Sequence, residues 1–262
     1  MKCIICDNEN DSNSVEHIVS ESFGNKDYVM QKGEICDGCN NKFSKFENKA
    51  LTNTVFVMER SRFGIETKKG NTAKGKVKGL EIEGDENFKP NYLNVKGLDS
   101  ENFKDFDPKT KSGHLYVSSF DKSESATSKL LLKTGIESIY KSQRKIYNKY
   151  NFRDLKDYLK GDSNTDWPFI VTDFETKKFN SIPTFTDKYN LKRKHCNLSI
   201  LEVGNDTVFF KFKYGAIPMV INLINRNTNW ILNYYQQDNS IDINPEHIKN
   251  KIINKDNNKG SR

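Results

Sequence analysis

Four cysteines fall in two pairs, Cys3-x-x-Cys6 and Cys36-x-x-Cys39, with 29 residues between the pairs. A two-residue gap suits a structural disulfide poorly. It does let two thiolates share one tight knuckle and face one tetrahedral ion at about 2.3 Å. Four sulfur ligands leave no coordination position for water, so the expected Zn²⁺ is structural and staples a segment too small to bury a core alone. Any chemistry must then come from neighbours of the knuckles. Between the pairs stands Ser14-Val15-Glu16-His17-Ile18-Val19-Ser20-Glu21-Ser22-Phe23-Gly24, and Asn40 directly follows the fourth cysteine. The second knuckle fixes Asn40 at the start of a helix, while a β-hairpin between the knuckles carries Glu16 and His17. A carboxylate and an amide oxygen can meet there over a hard divalent cation, with an imidazole beside it to take a proton from water.

Those residues need a scaffold. The segment up to about Arg60 has its own punctuation, and after Cys39 the residues Phe43, Phe46, Ala50, Leu51, Val55 and Met58 recur at helical spacing as one buried stripe. From 61 to 111 the chain is rich in Gly, Lys, Asp and Asn, with one strand-like run at Leu80-Glu81-Ile82-Glu83. A strand is expected over 114–120 and a long helix over 123–147, with Leu132, Ile136, Ile139, Tyr140, Ile146 and Tyr147 on one side. A short helix is expected over 152–159. The last hundred residues look mainly β: a strand at 169–174, a hairpin pairing 199–203 with 207–213, strands at 216–223 and 229–235, then a terminal helix over 245–253. The expected class is α+β: a zinc-stapled module at 1–60 followed by a mixed α+β domain at 61–262.

Hydrophobic residues make up 35% and charged residues 29%, which is polar, yet 17 Phe and 11 Tyr supply enough bulk for a folded core. No apolar run is long enough to span a bilayer. The first residues carry no apolar signal core or small-residue cleavage site, so the cytosol is the expected compartment. Net charge is +7, but residues 1–60 hold seven Lys or Arg against ten Asp or Glu, so the positive excess lies beyond them. If a polyanion is the partner, its long-range attraction comes from 61–262, where Lys192-Arg193-Lys194 is the clearest patch and Lys141, Arg144, Lys145 and Lys149 a weaker one.

The pattern C-x-x-C … E-H-I … S-F-G … C-x-x-C-N resembles the HNH endonuclease superfamily, whose fold is the ββα-metal motif. The resemblance covers residues 3 to about 50, under a fifth of the chain. It implies cleavage of nucleic acid, with DNA favoured over RNA. His17 matches the general base that activates water. Glu16 and Asn40 match the ligands of a catalytic Mg²⁺ or Mn²⁺, and Cys3, Cys6, Cys36 and Cys39 match the structural zinc ligands. Glu47, seven residues after Asn40, stands where related sequences often carry an acid; it is a further metal-ligand candidate or a salt-bridge partner. Ser20 replaces a common proline. The family's middle asparagine, which orients the base, has no clear counterpart between Tyr28 and Ile35.

Plainer readings stand beside these. Glu16-His17 could be an ordinary surface dipeptide on a zinc scaffold. Glu21 is expected to be a solvated charge and Cys196 a small buried filler, and His114, His195 and His247 have no partner spacing. Two other functions remain open: a zinc-dependent nucleic-acid-binding protein without catalysis, and a defence- or toxin-like nuclease effector controlled by a ligand or a protein partner; an oligomer is also open.

Overall fold

The computed structural model describes residues 1–9, 12–67, 69–77, 79–97, 103–115, 119–161, 165–172, 179–182, 195–204 and 206–259. The N-terminal knuckle leads into two short paired segments. Ile18 N–H donates to Tyr28 O at 3.1 Å, Met30 N–H donates to Glu16 O at 2.8 Å, and His17 lies opposite Val29 in antiparallel register. The second knuckle opens helix α1, Asp37–Leu51, and α2 follows at Thr54–Phe63. Hairpin and α1 together make a ββα unit.

The apolar stripe expected as one helix is thus split in two. The break is Asn53, which is fully buried. Its amide nitrogen donates to Ala50 O, Ser123 O and Thr127 Oγ1, while its oxygen accepts from Lys122 and Ser123 N–H. One side chain ties the α1–α2 corner to the start of the next long helix.

Strands β1 (Lys74–Val77), β2 (Leu80–Glu83) and β3 (Asn94–Lys96) form a small antiparallel sheet against α2. A two-stranded ribbon pairs β4 (Phe103–Asp107) with β5 (Ser112–Leu115). Helix α3 runs from Glu124 to Ser142, α4 from Arg144 to Lys149 and α5 from Arg153 to Lys160. The helix expected over 123–147 therefore breaks at Gln143.

The remaining strands are β6 (Phe169–Val171), β7 (Asn180–Ser181), β8 (Cys196–Glu202), β9 (Val208–Tyr214), β10 (Ile217–Asn222) and β11 (Asp242–Asn244). They form a six-stranded antiparallel sheet in the order β11-β6-β10-β9-β8-β7. Its two faces follow the period of two. Phe169, Val208, Phe210, Phe212, Met219 and Ile221 face the main core, while Ile170, Phe209 and Val220 face a second cluster under α6 (Asn229–Gln237) and α7 (Glu246–Lys259).

The segment 229–235, expected as a strand, is helix α6. Asn227 Oδ1 accepts the Asn229 N–H at 2.8 Å, and Thr228 O accepts from Ile231 and Leu232, so a local turn starts a helix. Ile231 and Tyr234, three apart, are its buried contacts with the sheet.

Helix α3 lies in the middle of the molecule. Every residue from Ala126 to Ile139 except Lys129 is buried. One side packs on α1, and the other meets β9 and β10 so closely that a Cβ at Gly135 would come within 2.8 Å of Leu223. The same apolar cluster runs from Cys3 and Ile18 through α3 to Phe210 and Leu223. No described helix is long and apolar enough to cross a membrane.

Candidate active site

The two knuckles face each other. Sulfur ligand atoms of Cys3, Cys6, Cys36 and Cys39 all lie within 4.8 Å of one another, and the Cys6 and Cys36 sulfurs are 3.7 Å apart. A tetrahedral Zn–S shell with bonds of about 2.3 Å places its sulfurs roughly 3.8 Å apart, so the four thiols fit a structural zinc. Backbone geometry agrees: Cys36 N–H donates to Cys3 Sγ and Cys39 N–H to Cys36 Sγ, each at 3.4 Å. Hydrogen bonding with Cys39 draws the Cys3 thiol down to about 4, and the same contact pushes the Cys39 thiol up.

Because Cys36 caps α1, the helix starts at the knuckle and presents Asn40, Ser44 and Glu47 along one face, at i, i+4 and i+7. Phe43, Ala50 and Leu51 of α1 are buried in the core. Across from the polar face runs the strand with Ser14, Glu16 and His17. Between them is a cleft of about 640 Å³ whose walls include Glu16, His17, Glu21, Asn40, Ser44 and Glu47. The sequence-predicted Glu16, His17, Asn40 and Glu47 therefore share one cleft. Glu21 also lines it, from a 3₁₀ turn over Glu21–Phe23.

The direction of the Asn40 amide is fixed by a chain of hydrogen bonds. Asn40 Nδ2 donates to Ser14 Oγ at 3.0 Å, and the Ser14 hydroxyl in turn donates to Asp37 Oδ1. Asp37 also accepts from the Ser12 hydroxyl and from the Asn13 and Ser14 N–H groups. Donors led by the Ser14 hydroxyl hold its carboxyl well below the usual range, so it stays an acceptor and the order of the chain cannot reverse. With its nitrogen engaged, Asn40 turns its oxygen the other way.

Residues 3–56 match the model of the HNH endonuclease family. No curated protein and no solved structure matches the chain.

The HNH segment contains a buried asparagine that its sequence pattern alone does not reveal. Asn25 is 6% exposed, and its amide donates to Val19 O at 2.6 Å and Tyr28 O at 3.0 Å while accepting the Tyr28 N–H at 3.0 Å. It fastens the loop that joins the two hairpin segments and so sets the path of the strand bearing Glu16 and His17. Asn25 lies three residues before the stretch from Tyr28 to Ile35, and its amide is bonded to backbone atoms of Val19 and Tyr28.

A second unpredicted residue comes from outside the HNH segment. Lys133 of α3 is fully buried and pairs with Glu16, with Glu47 at 2.9 Å and with Glu137 at 3.4 Å. Burial alone would lower its pKa, but the charges of Glu137, Glu47 and Glu16 outweigh that and hold the ammonium above the usual lysine range. Burial likewise pushes the Glu137 carboxyl well above the usual carboxylate range, which Lys133 opposes only in part.

The basic candidates fare differently. Lys192, Arg193 and Lys194 lie outside the described residues. Lys141 donates to Val29 O, Arg144 stacks over the Tyr140 ring at 3.4 Å and Lys149 pairs with Glu202 at 2.7 Å, so these three cations serve internal contacts. Cys196 packs against the core, where burial pushes its thiol up, as befits a filler. A cleft of about 700 Å³ at the starts of α3 and α7 is slightly larger than the HNH cleft, but Asp121, Glu124, Asp242 and Glu246 line it without a histidine.

Proposed function

We propose that the chain is a metal-dependent HNH endonuclease that hydrolyses phosphodiester bonds, with DNA as substrate. In this reading His17 is the general base, and Glu16 and Asn40 hold one Mg²⁺ or Mn²⁺. The observation that carries it is the common cleft: a strand residue pair and a helix residue, 23 positions apart, line one polar cavity within a segment that matches a nuclease family. A scaffold-only zinc module gives no reason for that convergence.

His17 takes the proton of the attacking water, and the backbone pairing opposite Val29 keeps its strand in register. Asn40 offers an amide oxygen whose direction Ser14 and Asp37 set. Glu16 offers a carboxylate, with Glu47 as a further acidic wall of the same cleft. When bound, the divalent ion relieves charge on the leaving oxygen of the scissile phosphodiester. Two or three hard oxygen donors match the preference of Mg²⁺ for sites that keep room for water and phosphate. Residues 1–60 carry the chemistry in this reading, and 61–262 supply binding or control.

Supercoiled plasmid incubated with Mg²⁺ or Mn²⁺ tests it. Wild type nicks the plasmid, and His17→Ala loses about 10²- to 10⁴-fold in rate with unchanged zinc content, the range expected for a general base. If both proteins bind DNA equally and neither cuts with any metal, the protein is a binding module and the enzyme reading is wrong. Cutting that appears only after a ligand or partner is added points to a controlled effector.

A further inference from the structure

We propose that Lys133 is a positioning residue of the nuclease site, holding the Glu16-His17 dipeptide from beneath the cleft floor. The inference rests on the assignment of Glu16 and His17 above. Lys133 Nζ donates to the backbone oxygen of His17 and lies 3.4 Å from that of Ile18. It also meets the carboxylates of Glu16, Glu47 and Glu137. Five oxygens from the hairpin strand, α1 and α3 thus converge on one ammonium. Glu16, His17 and Glu47 line the cleft, whereas Lys133 does not and its side chain is 0% exposed.

A lysine here is not what packing alone would select. The adjacent positions Leu130, Leu131, Leu132 and Ile136 show what the surroundings of α3 take by default, and an apolar side chain avoids the desolvation that a buried ammonium incurs. What an apolar residue cannot do is grip a carboxylate and a backbone carbonyl of the same dipeptide together. That grip fixes the rotamer of Glu16, with one oxygen held from below, and fixes the peptide plane that follows His17. It also places a positive charge between the carboxylates of Glu16 and Glu47, which would otherwise repel each other. The neighbouring contact of Lys141 with Val29 O fastens the paired hairpin segment to the same helix. The site is therefore incomplete without a helix that begins more than sixty residues beyond the family match.

The test uses the full chain with Lys133→Met, alone and with Glu137→Gln to relieve the freed acidic charge. In folded, zinc-loaded protein, amide hydrogen exchange over residues 14–20 should accelerate while the six-stranded sheet stays protected. Cleavage at saturating Mg²⁺ should fall, and the half-saturating Mg²⁺ concentration should rise by roughly 10- to 100-fold, as when the support of a metal ligand is removed. A residue that only stabilises the fold would leave the metal dependence unmoved. Wild-type exchange together with wild-type metal dependence overturns the proposal. If the variants do not fold, ¹⁵N-ammonium spectra of the wild type decide it: added Mn²⁺ should broaden the Lys133 resonance at concentrations that support cleavage, and an unaffected resonance rejects the proposal. A wild type inert with every metal sinks the nuclease assignment separately, whereas faster exchange at 14–20 in the variants would still identify Lys133 as the fastening of that strand.

Discussion

Asp37, Ser14 and Asn40 form a one-way chain in which each group's role is set by the one before it. A carboxylate can only accept, so the Ser14 hydroxyl must donate to it and is left to accept from the Asn40 amide. Asp37→Asn removes that polarity and lets the amide turn over. Cleavage should fall at least tenfold with zinc retained, measured as plasmid nicking beside metal analysis. The same group gives a pH prediction. Its folded-state pKa is depressed, so its contribution to stability is fully present above the ordinary carboxylate value of about 4 and is lost as pH falls below it. The gap in melting temperature between wild type and Asp37→Asn should therefore be widest near neutrality and begin to narrow as pH falls below about 4 toward the depressed folded-state value. Asn25 acts on the backbone instead. Asn25→Ala strands a buried Tyr28 N–H and should cost about 1–3 kcal/mol in denaturant unfolding, with loss of activity as the hairpin loop loosens.

At the scale of elements, the zinc knuckles, the hairpin and α1 depend on one another. Cys36 is at once a thiolate ligand and the cap of α1, so removing the metal should fray the helix at the end that carries Asn40. Chelation is expected to abolish hydrogen-exchange protection over 3–9 and 35–44 while β8 to β10 stay protected. Protection that survives chelation would mean the sulfurs staple nothing. These elements were legible because their determinants are local: C-x-x-C spacing, a helix begun by the knuckle, and the pair Glu16-His17 followed by apolar Ile18 and Val19. What escaped is non-local. Nothing near Lys133 in the sequence signals a partner 117 positions earlier, and polar Thr127, Ser128, Lys133 and Glu137 concealed that α3 is buried on both sides. The segment 229–235 misled in the opposite way, since Trp230, Ile231, Tyr234 and Tyr235 fit a strand by composition while Asn227 and Thr228 start a helix.

At the scale of the whole molecule, the HNH segment and the remainder share one apolar cluster through α3. A fragment of residues 1–60 should accordingly bind zinc yet show weak exchange protection at 16–18 and cut no plasmid, because the surface under its hairpin is gone. Charge is divided the other way. The acidic HNH segment sits in a chain of net +7, so the pull on a polyanion must come from beyond residue 60. Replacing Lys192, Arg193 and Lys194 by Ala should flatten the salt dependence of DNA binding by up to about three unit slopes; an unchanged slope would exclude that patch. The central position of α3 also bears on synthesis at the ribosome. Its Gly135 side is closed by Phe210 and Leu223, so the helix that steadies the hairpin gains its full packing only after those residues have emerged. A growing polypeptide halted before residue 223 carries every cleft residue but not the finished support beneath them, so the proposed cutting competence should arrive late in translation.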